Sequence, residues 1–279
     1  VSDDNSTFVL TIDGPAGTGK STVARHLAAR LGAVRLDTGA MYRAVALRAL
    51  RNGVPTNSDD ALGEIVRDLE FEQRAENFFL NGEDVTAALR EPEISAAASE
   101  VAQFKSVREV LFRWQREFAS HHNTVTEGRD QGSVVFRDAT RKFFLTATAE
   151  VRATRRANEL AARGIFVDFN QVLTEQLDRD ARDSQREIAP LMPASDALIV
   201  ETSHLSIEQV VSLLQAASWA STNLASPSAF AEYWRGYAAK DANWLRLVAS
   251  SLDDAHRCAF ELVPGESINF LPPEHTHNS

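Results

Sequence analysis

Apolar positions in the first third of the chain alternate between short runs and helical spacing. Phe8–Ile12 is a short apolar, β-branched run of the kind a buried strand shows. A glycine-rich stretch, Gly14 to Gly19, follows it. Val23, Leu27 and Leu31 then recur at four-residue spacing, which predicts a helix from Lys20 to Leu31 that ends at Gly32. Val34–Leu36 reads as a second strand. A helix from about Gly39 to Leu50 leads to a stop at Asn52-Gly53.

The pattern changes between residues 68 and 86. Two strand-like stretches, Leu69–Glu72 and Phe78–Leu80, precede Asn81-Gly82, a hairpin-turn dipeptide. They predict a small antiparallel insert. Helical stretches follow over about Pro92–Phe104 and Ser106–Ser120. Strands are then expected at Thr124–Thr126, Lys142–Ala147 and Ala197–Val200. Helices are expected at Ala149–Arg163, Asn170–Asp183 and Leu205–Ala216. Alternation of this kind implies an α/β fold: a doubly wound, mostly parallel five-stranded sheet with helices on both faces.

Beyond about Ala217 the composition shifts. Ser221–Ser228 has linker composition. Phe230, Tyr233, Trp234 and Tyr237, then Trp244, Leu245, Val248 and Leu252, keep helical spacing, so a helical extension is expected over 221–263. Residues 264–279, rich in Pro and polar side chains, are expected to be disordered. Three of the four tryptophans, Trp219, Trp234 and Trp244, fall in or beside this part. Docking onto the preceding domain and recruitment of a partner both remain open for it. His275 and His277 suggest solvated side chains rather than a metal site.

A hydrophobic fraction of 44% supplies an ample core for a chain of 279 residues. The net charge of −10 argues against nucleic-acid binding as the main task, so an anionic ligand needs a local cationic site. Of the 29 basic residues only Lys20, Lys105, Lys142 and Lys240 are lysines. Arginine forks suit phosphate recognition, although codon bias explains the overall ratio equally well. Cys258 is the single cysteine, which excludes a disulfide framework or a Cys-based zinc site. No apolar run reaches the ~20 residues a membrane span requires. The opening Val-Ser-Asp-Asp-Asn-Ser is unlike a secretory signal, and its missing initiator Met implies a processed or trimmed chain. A cytoplasmic protein is expected.

Chemistry enters with Gly14-Pro15-Ala16-Gly17-Thr18-Gly19-Lys20-Ser21, which fits the P-loop pattern between a strand and a helix. Glycines let backbone N–H groups turn toward phosphate oxygens, and the next helix offers its positive N-terminus. Lys20 can reach the β and γ phosphates of ATP, and the Ser21 hydroxyl can ligate Mg²⁺. No Asn-Lys-x-Asp guanine reader is present, which disfavours a GTPase.

Three further clusters suggest small-molecule phosphoryl transfer. Asp37-Thr38-Gly39-Ala40-Met41-Tyr42-Arg43 follows the second strand, where a doubly wound sheet places ligands. A capped helix start explains the same residues. Glu127-Gly128-Arg129-Asp130 follows the strand at Thr124, so Glu127 can hold Mg²⁺ through water and Arg129 can face a phosphate. A turn with a surface ion pair is the alternative. Arg179, Asp183 and Arg186 are spaced to share one helix face, as a clamp for phosphate and ribose or as an exposed ion-pair ladder.

With these motifs in order, the chain resembles the bacterial cytidylate kinases. The resemblance is carried by Ile12 through Thr22, Leu36 through Arg43, Ser99 with Val107-Arg108-Glu109, and Glu127 through Asp130. It continues through Arg179 to Arg186, Ala189-Pro190-Leu191 and Leu205 to Val210, so that it is collinear from about residue 8 to residue 217. It implies a P-loop kinase that phosphorylates CMP or dCMP with ATP and Mg²⁺. It implies three parts within residues 1–220: a core, an enlarged acceptor-binding insert at about 63–105, and a short helical lid at about 153–168. It further implies that Gly14 through Thr22 bind ATP, with Arg155 and Arg156 at the lid near its phosphates.

By the same resemblance Thr38, Ser99, Arg108 and Asp130 face the cytosine edge. Arg43, Arg129 and Arg179 hold the acceptor phosphate, Asp183 and Arg186 face the sugar, and Lys20, Arg129 and Arg179 carry catalysis. A monomer with no nucleic-acid or membrane partner is expected. Glu127 is a mild departure from the family pattern, and Gln131 and Arg137 are clearer ones. Neither of the latter two is expected to touch an assigned position. Two alternatives remain: another small-molecule P-loop kinase, and a nucleotide-gated binding protein that uses the C-terminal extension.

Overall fold

The computed structural model describes residues 7–222, the last four by backbone alone. Along the chain the elements begin β1 (Val9–Asp13), α1 (Lys20–Leu31), β2 (Val34–Asp37), α2 (Thr38–Arg51) and α3 (Asp59–Val66). Next come β3 (Phe71–Arg74), β4 (Asn77–Leu80), β5 (Glu83–Asp84), α4 (Pro92–Val101) and α5 (Lys105–Ser120). The rest are β6 (Thr124–Glu127), β7 (Arg141–Thr146), α6 (Ala149–Ala162), α7 (Phe169–Gln185), β8 (Leu198–Glu201) and α8 (Ile207–Thr222).

Five strands form one sheet in the order β2-β6-β1-β7-β8, and every neighbouring pair is parallel. Side chains of β1 alternate between its two faces, as the pleat requires. Leu10 and Ile12 pack with Val23, Ala24 and Leu27 of α1 and with Val210, Val211 and Leu214 of α8. Val9 packs on the other side with Phe112 and Ala119 of α5 and with Val135 and Phe136. Each fully buried aliphatic side chain contributes about 1.5–3 kcal/mol. The doubly wound α/β architecture expected from the sequence is the one observed.

β1 lies between β6 and β7, so the chain leaves the sheet in opposite directions on its two sides. A crevice opens there, at the carboxyl ends of the strands. Asp13, Asp37 and Glu127 all stand at strand ends on this rim.

The segment from α2 to α5 has a core of its own. Met41 and Val45, Leu62 and Val66, Phe71, Phe78 and Leu80, Ile94 and Val101, and Val107 and Leu111 form one buried cluster. Its strands pair β3-β4-β5, all antiparallel. Asn81 and Gly82 make the expected turn, with φ of 49° and 79°, and it joins β4 to β5. β5 was not expected, since two residues are too few to show a period. β3 begins two residues later than the pattern suggested, because a two-residue turn at Ala75-Glu76 pairs Arg74 with Asn77. Gln73 then ties the hairpin to the sheet edge: its Nε2 donates to Arg35 O at 2.6 Å and its Oε1 accepts from Asp37 N at 3.2 Å.

α3 was also unexpected. Its signal was present in Ser58, whose hydroxyl accepts from Ala61 N, and in the two acids of its first turn. The segment Gln131–Val135 folds as a single π-helical turn rather than as plain loop. Asp13 receives the N–H groups of Gln131 and Gly132 at 2.9 and 2.7 Å. α8 runs past the expected end at Ala216 and takes up Ser221 and Thr222, the first residues of the expected linker. The remainder of the extension, the 264–279 tail, Trp234, Trp244, Cys258, His275, His277 and the side chain of Trp219 lie outside the described residues. Among the described residues no helix is long and apolar enough to cross a membrane.

Candidate active site

The loop between β1 and α1 is shaped by its glycines. Gly14 has φ of 139°, and a Cβ there would lie 2.0 Å from the Leu145 carbonyl oxygen, so no side chain fits. Gly19, with φ of 92°, precedes the first turn of α1 and leaves its N–H groups facing the crevice. Lys20 is buried and folds back, its Nζ donating to Pro15 O at 2.6 Å. Burial, followed by the charge of Arg129, pushes the Lys20 ammonium well below the usual lysine value. An anion beside it restores the charge that burial disfavours.

Ser21, on the same turn, donates to Glu127 Oε2 at 2.5 Å. The other carboxylate oxygen of Glu127 faces Arg35 Nη1 at 3.3 Å. Burial, and then the Asp37 charge, raises the Glu127 carboxyl above its ordinary value. A hydroxyl and a carboxylate side by side are hard oxygen donors, the set Mg²⁺ prefers.

Arg155 lies against the loop from the other side, with Nη1 3.5 Å from Thr18 O and Nη2 2.7 Å from Thr202 O. Arg156, one residue on in α6, pairs with Glu159 at 2.9 Å.

Across the crevice, the capped helix start that the Asp37 segment suggested is observed. Asp37 caps α2 by accepting from Ala40 N at 2.9 Å, and it also faces Arg43 Nη2 at 3.4 Å. The Thr38 hydroxyl donates to Glu127 O at 2.6 Å, which ties the acceptor side to β6. Arg108 and Asp130 form a buried ion pair through Nη2 and Oδ2. Arg108 Nη1 donates to Ala102 O at 2.9 Å, while its buried Nε has no protein partner. Its guanidinium stands 4.9 Å from the centre of the Phe112 ring and 5.9 Å from that of Tyr42. Ser99 is half-buried on α4, one turn before Ala102.

The third cluster departs from its expected geometry. Asp183 is on α7, but the helix ends at Gln185 and Arg186 is extended, with ψ of 141°. The three residues therefore do not share a helix face. The chain turns back instead, with Leu191 N donating to Asp183 O at 2.8 Å and Arg186 Nε donating to Ala189 O. Side-chain geometry still converges: Arg129 Nε donates to Asp183 Oδ2 at 3.0 Å, and Arg186 Nη1 is 3.9 Å from Oδ1. This arrangement is buried, which removes the exposed-ladder alternative.

Arg179 is the sharpest feature of the group. Burial, and then repulsion from Arg129, lowers its guanidinium to about 10, with Arg43 and Arg156 adding to the effect. Among the described residues its buried Nε has no hydrogen-bond partner, and neither has Arg186 Nη2. The charges of Arg43, Arg129 and Arg156 thus all bear on Arg179, although Asp37, Asp183 and Glu159 each pair with one of these three. A buried guanidinium repelled by its neighbours in this way is complementary to phosphate.

Four contributors were not anticipated from the sequence. Asp13 braces the turn after Asp130. Arg35 joins Glu127, Asp37 and Glu76 at 3.3, 3.5 and 3.4 Å. Arg152 is buried; its Nη1 donates to Ala16 O at 3.1 Å and lies 2.7 Å from Asp180. Gln131 donates from Nε2 to Asp130 Oδ1 at 3.4 Å, contrary to the expectation that it touches no assigned position. Asp13 was findable as a carboxylate at a strand end beside the P-loop. The others have no local signal, because each depends on at least one partner far off in sequence: Glu127 for Arg35, Ala16 for Arg152 and Asp13 for Gln131. Arg137, the other departure, bonds locally to Ser133 O at 3.3 Å.

Comparison with known proteins agrees with this geometry. The sequence profile of the family described as cytidylate kinase matches residues 10–218. The chain is 48% identical over 217 residues to a cytidylate kinase of Pelotomaculum thermopropionicum, covering 76% of this chain and 96% of that protein. It is 44% identical over 209 residues to a cytidylate kinase of Haemophilus ducreyi, covering 74% and 93%.

Proposed function

This chain belongs to the cytidylate kinase family, and on that premise we propose that the crevice between Lys20 and the Arg129–Arg179 cluster is its active site. The enzyme transfers the γ-phosphoryl group of ATP to CMP or dCMP, giving ADP and CDP or dCDP. The observation that carries the site assignment is the set of crowded guanidinium groups facing a P-loop lysine.

ATP lies with its phosphates in the loop Gly14–Thr22, where backbone N–H groups and Lys20 hold them and Arg155 approaches from α6. Lys20 exchanges its Pro15 carbonyl for a phosphate oxygen. The monophosphate sits opposite, its phosphate on Arg43, Arg129 and Arg179. Asp183 and Arg186 face the sugar, and Thr38, Ser99, Arg108 and Asp130 face the base. The attacking atom is an acceptor phosphate oxygen that is already anionic, so no strong general base is needed. Catalysis rests on in-line positioning and on neutralising charge spread over the transferring group. Lys20, Arg129 and Arg179 supply that charge from this chain.

Ser21 directly, and Glu127 through water, would hold Mg²⁺. When bound, the ion neutralises charge on the β and γ oxygens. The acceptor insert spans about 63–105. The lid spans about 153–168, the end of α6 and the connection to α7. The working form is a cytoplasmic monomer without nucleic-acid or membrane partners.

The test is ADP release from ATP·Mg²⁺ with CMP, dCMP, UMP, AMP, GMP and shikimate as acceptors, beside a blank without acceptor. Strong stimulation by CMP and dCMP alone is expected. A slow rate indifferent to every acceptor would overturn the reading. Neither alternative, another small-molecule kinase or a nucleotide-gated binder, is favoured by an observation in the described residues.

A further inference from the structure

Asp130 is buried, and each oxygen of its carboxylate has its own donor. Arg108 Nη2 donates to Oδ2, and Gln131 Nε2 donates to Oδ1 at 3.4 Å. Gln131 is itself fully buried and anchored twice more. Its Oε1 accepts from Thr126 Oγ1 at 2.9 Å, and its backbone N–H donates to Asp13 Oδ1 at 2.9 Å. The amide can face only one way. A threonine hydroxyl serves as donor or acceptor, but an ionised carboxylate only accepts, so the NH₂ group must face Asp130.

The amide also has little room to move. A Cβ on Gly128 would lie 2.7 Å from Gln131 Cγ, 3.0 Å from its Nε2 and 3.1 Å from Thr38 Oγ1. Gln131 Nε2 therefore lies close against Gly128, as Thr38 Oγ1 does, while it donates to Asp130.

On the reading that Asp130 faces the base, we propose that Gln131 is a positioning residue that sharpens this chain's selectivity for cytosine by fixing the Asp130 carboxylate. Held by Arg108 alone, the carboxylate can pivot about a single contact. A donor on its second oxygen stops the pivot and leaves the free lone pairs along set directions. Cytosine offers an amino group at its 4-position, which a carboxylate accepts. Uracil offers a carbonyl there, which a carboxylate repels. A fixed carboxylate separates the two more sharply than a mobile one, because it cannot turn aside from the wrong base.

The test compares wild type, Gln131→Met and the double variant Thr126→Val/Gln131→Met, with CMP and UMP as acceptors and ATP·Mg²⁺ as donor. Methionine keeps the volume and removes the NH₂ group. The Thr126→Val change removes the hydroxyl that the single variant leaves unpartnered. The expected result is a KM for CMP raised about tenfold in both variants, the size of one hydrogen bond to a charged group. The CMP-to-UMP ratio of kcat/KM falls by a similar factor, while the KM for ATP stays within about twofold. The double variant regains thermal stability without regaining selectivity. An unchanged CMP-to-UMP ratio overturns the proposal. So do CMP and ATP constants that shift together and recover together in the double variant, because that marks a purely structural role. Wild-type enzyme indifferent to CMP would instead sink the reading of Asp130 on which the proposal rests.

Discussion

The Ser21 hydroxyl donates to Glu127 Oε2 at 2.5 Å, although 106 residues separate the two in the chain. The contact joins the first turn of α1 to the end of β6 across the floor of the crevice. It places a hydroxyl and a carboxylate side by side next to the P-loop. Glu127→Gln keeps the size and hydrogen-bonding capacity of the side chain but loses its charge. We expect the Mg²⁺ concentration for half-maximal activity to rise about 10–100-fold, with the fold retained. Magnesium titration of the rate, with ADP affinity measured with and without Mg²⁺, checks this. Chelation with EDTA should abolish turnover in both proteins.

Lys20→Ala removes the loop cation. A loss in kcat of about 10²–10³-fold is expected, the size seen when one charge-stabilising donor is removed from a transition state. Folding should not suffer, since Lys20 is a buried cation whose charge the folded state disfavours. A circular dichroism melt beside the rate measurement decides the matter. A well-folded variant with full activity would refute the assignment.

The Arg108–Asp130 pair makes a different demand. Both residues are almost fully buried, at 2% and 3% exposure, so Asp130→Ala leaves Arg108 charged and unmatched. The expected destabilisation is about 3–5 kcal/mol, read from urea unfolding. Asp130→Asn, which keeps an acceptor oxygen, should cost less.

Acid sensitivity follows from Asp183. Burial raises its carboxyl, but Arg129, Arg179 and Arg186 together outweigh burial and hold it below its ordinary 3.8. A depressed carboxylate contributes stability that is present above 3.8 and lost as pH falls through the lower folded value. Asp183→Asn should therefore be less stable than wild type at neutral pH. The two melting curves should converge in strong acid. A gap that is constant from neutral pH into strong acid would contradict this charge balance.

Much of the molecule could be read from local pattern. The P-loop, α1 with its glycine stop, the Asn81-Gly82 turn and the five core strands all depend on preferences that a few consecutive residues express. So do Lys20, Ser21, Glu127 and Arg129, because their places at strand and helix ends follow from those elements. α3 lay within reach as well, through Ser58 and the acids after it.

Other features required the folded chain. Arg35 has its partners at Glu127, Asp37 and Glu76, and no spacing along β2 announces a residue that bridges strand, loop and insert. Gln131 looked like an inert departure from a pattern, yet it holds Asp130 beside it and is itself held by Asp13, 118 residues away. Arg186 keeps helical spacing with Arg179 but not helical geometry, since the turn at Ala189 draws it off the helix. Periodicity and capping record interactions within one or two turns of chain. Charge balance in a buried crevice is set by groups from many segments meeting in one volume, and only the tertiary structure decides which of them meet.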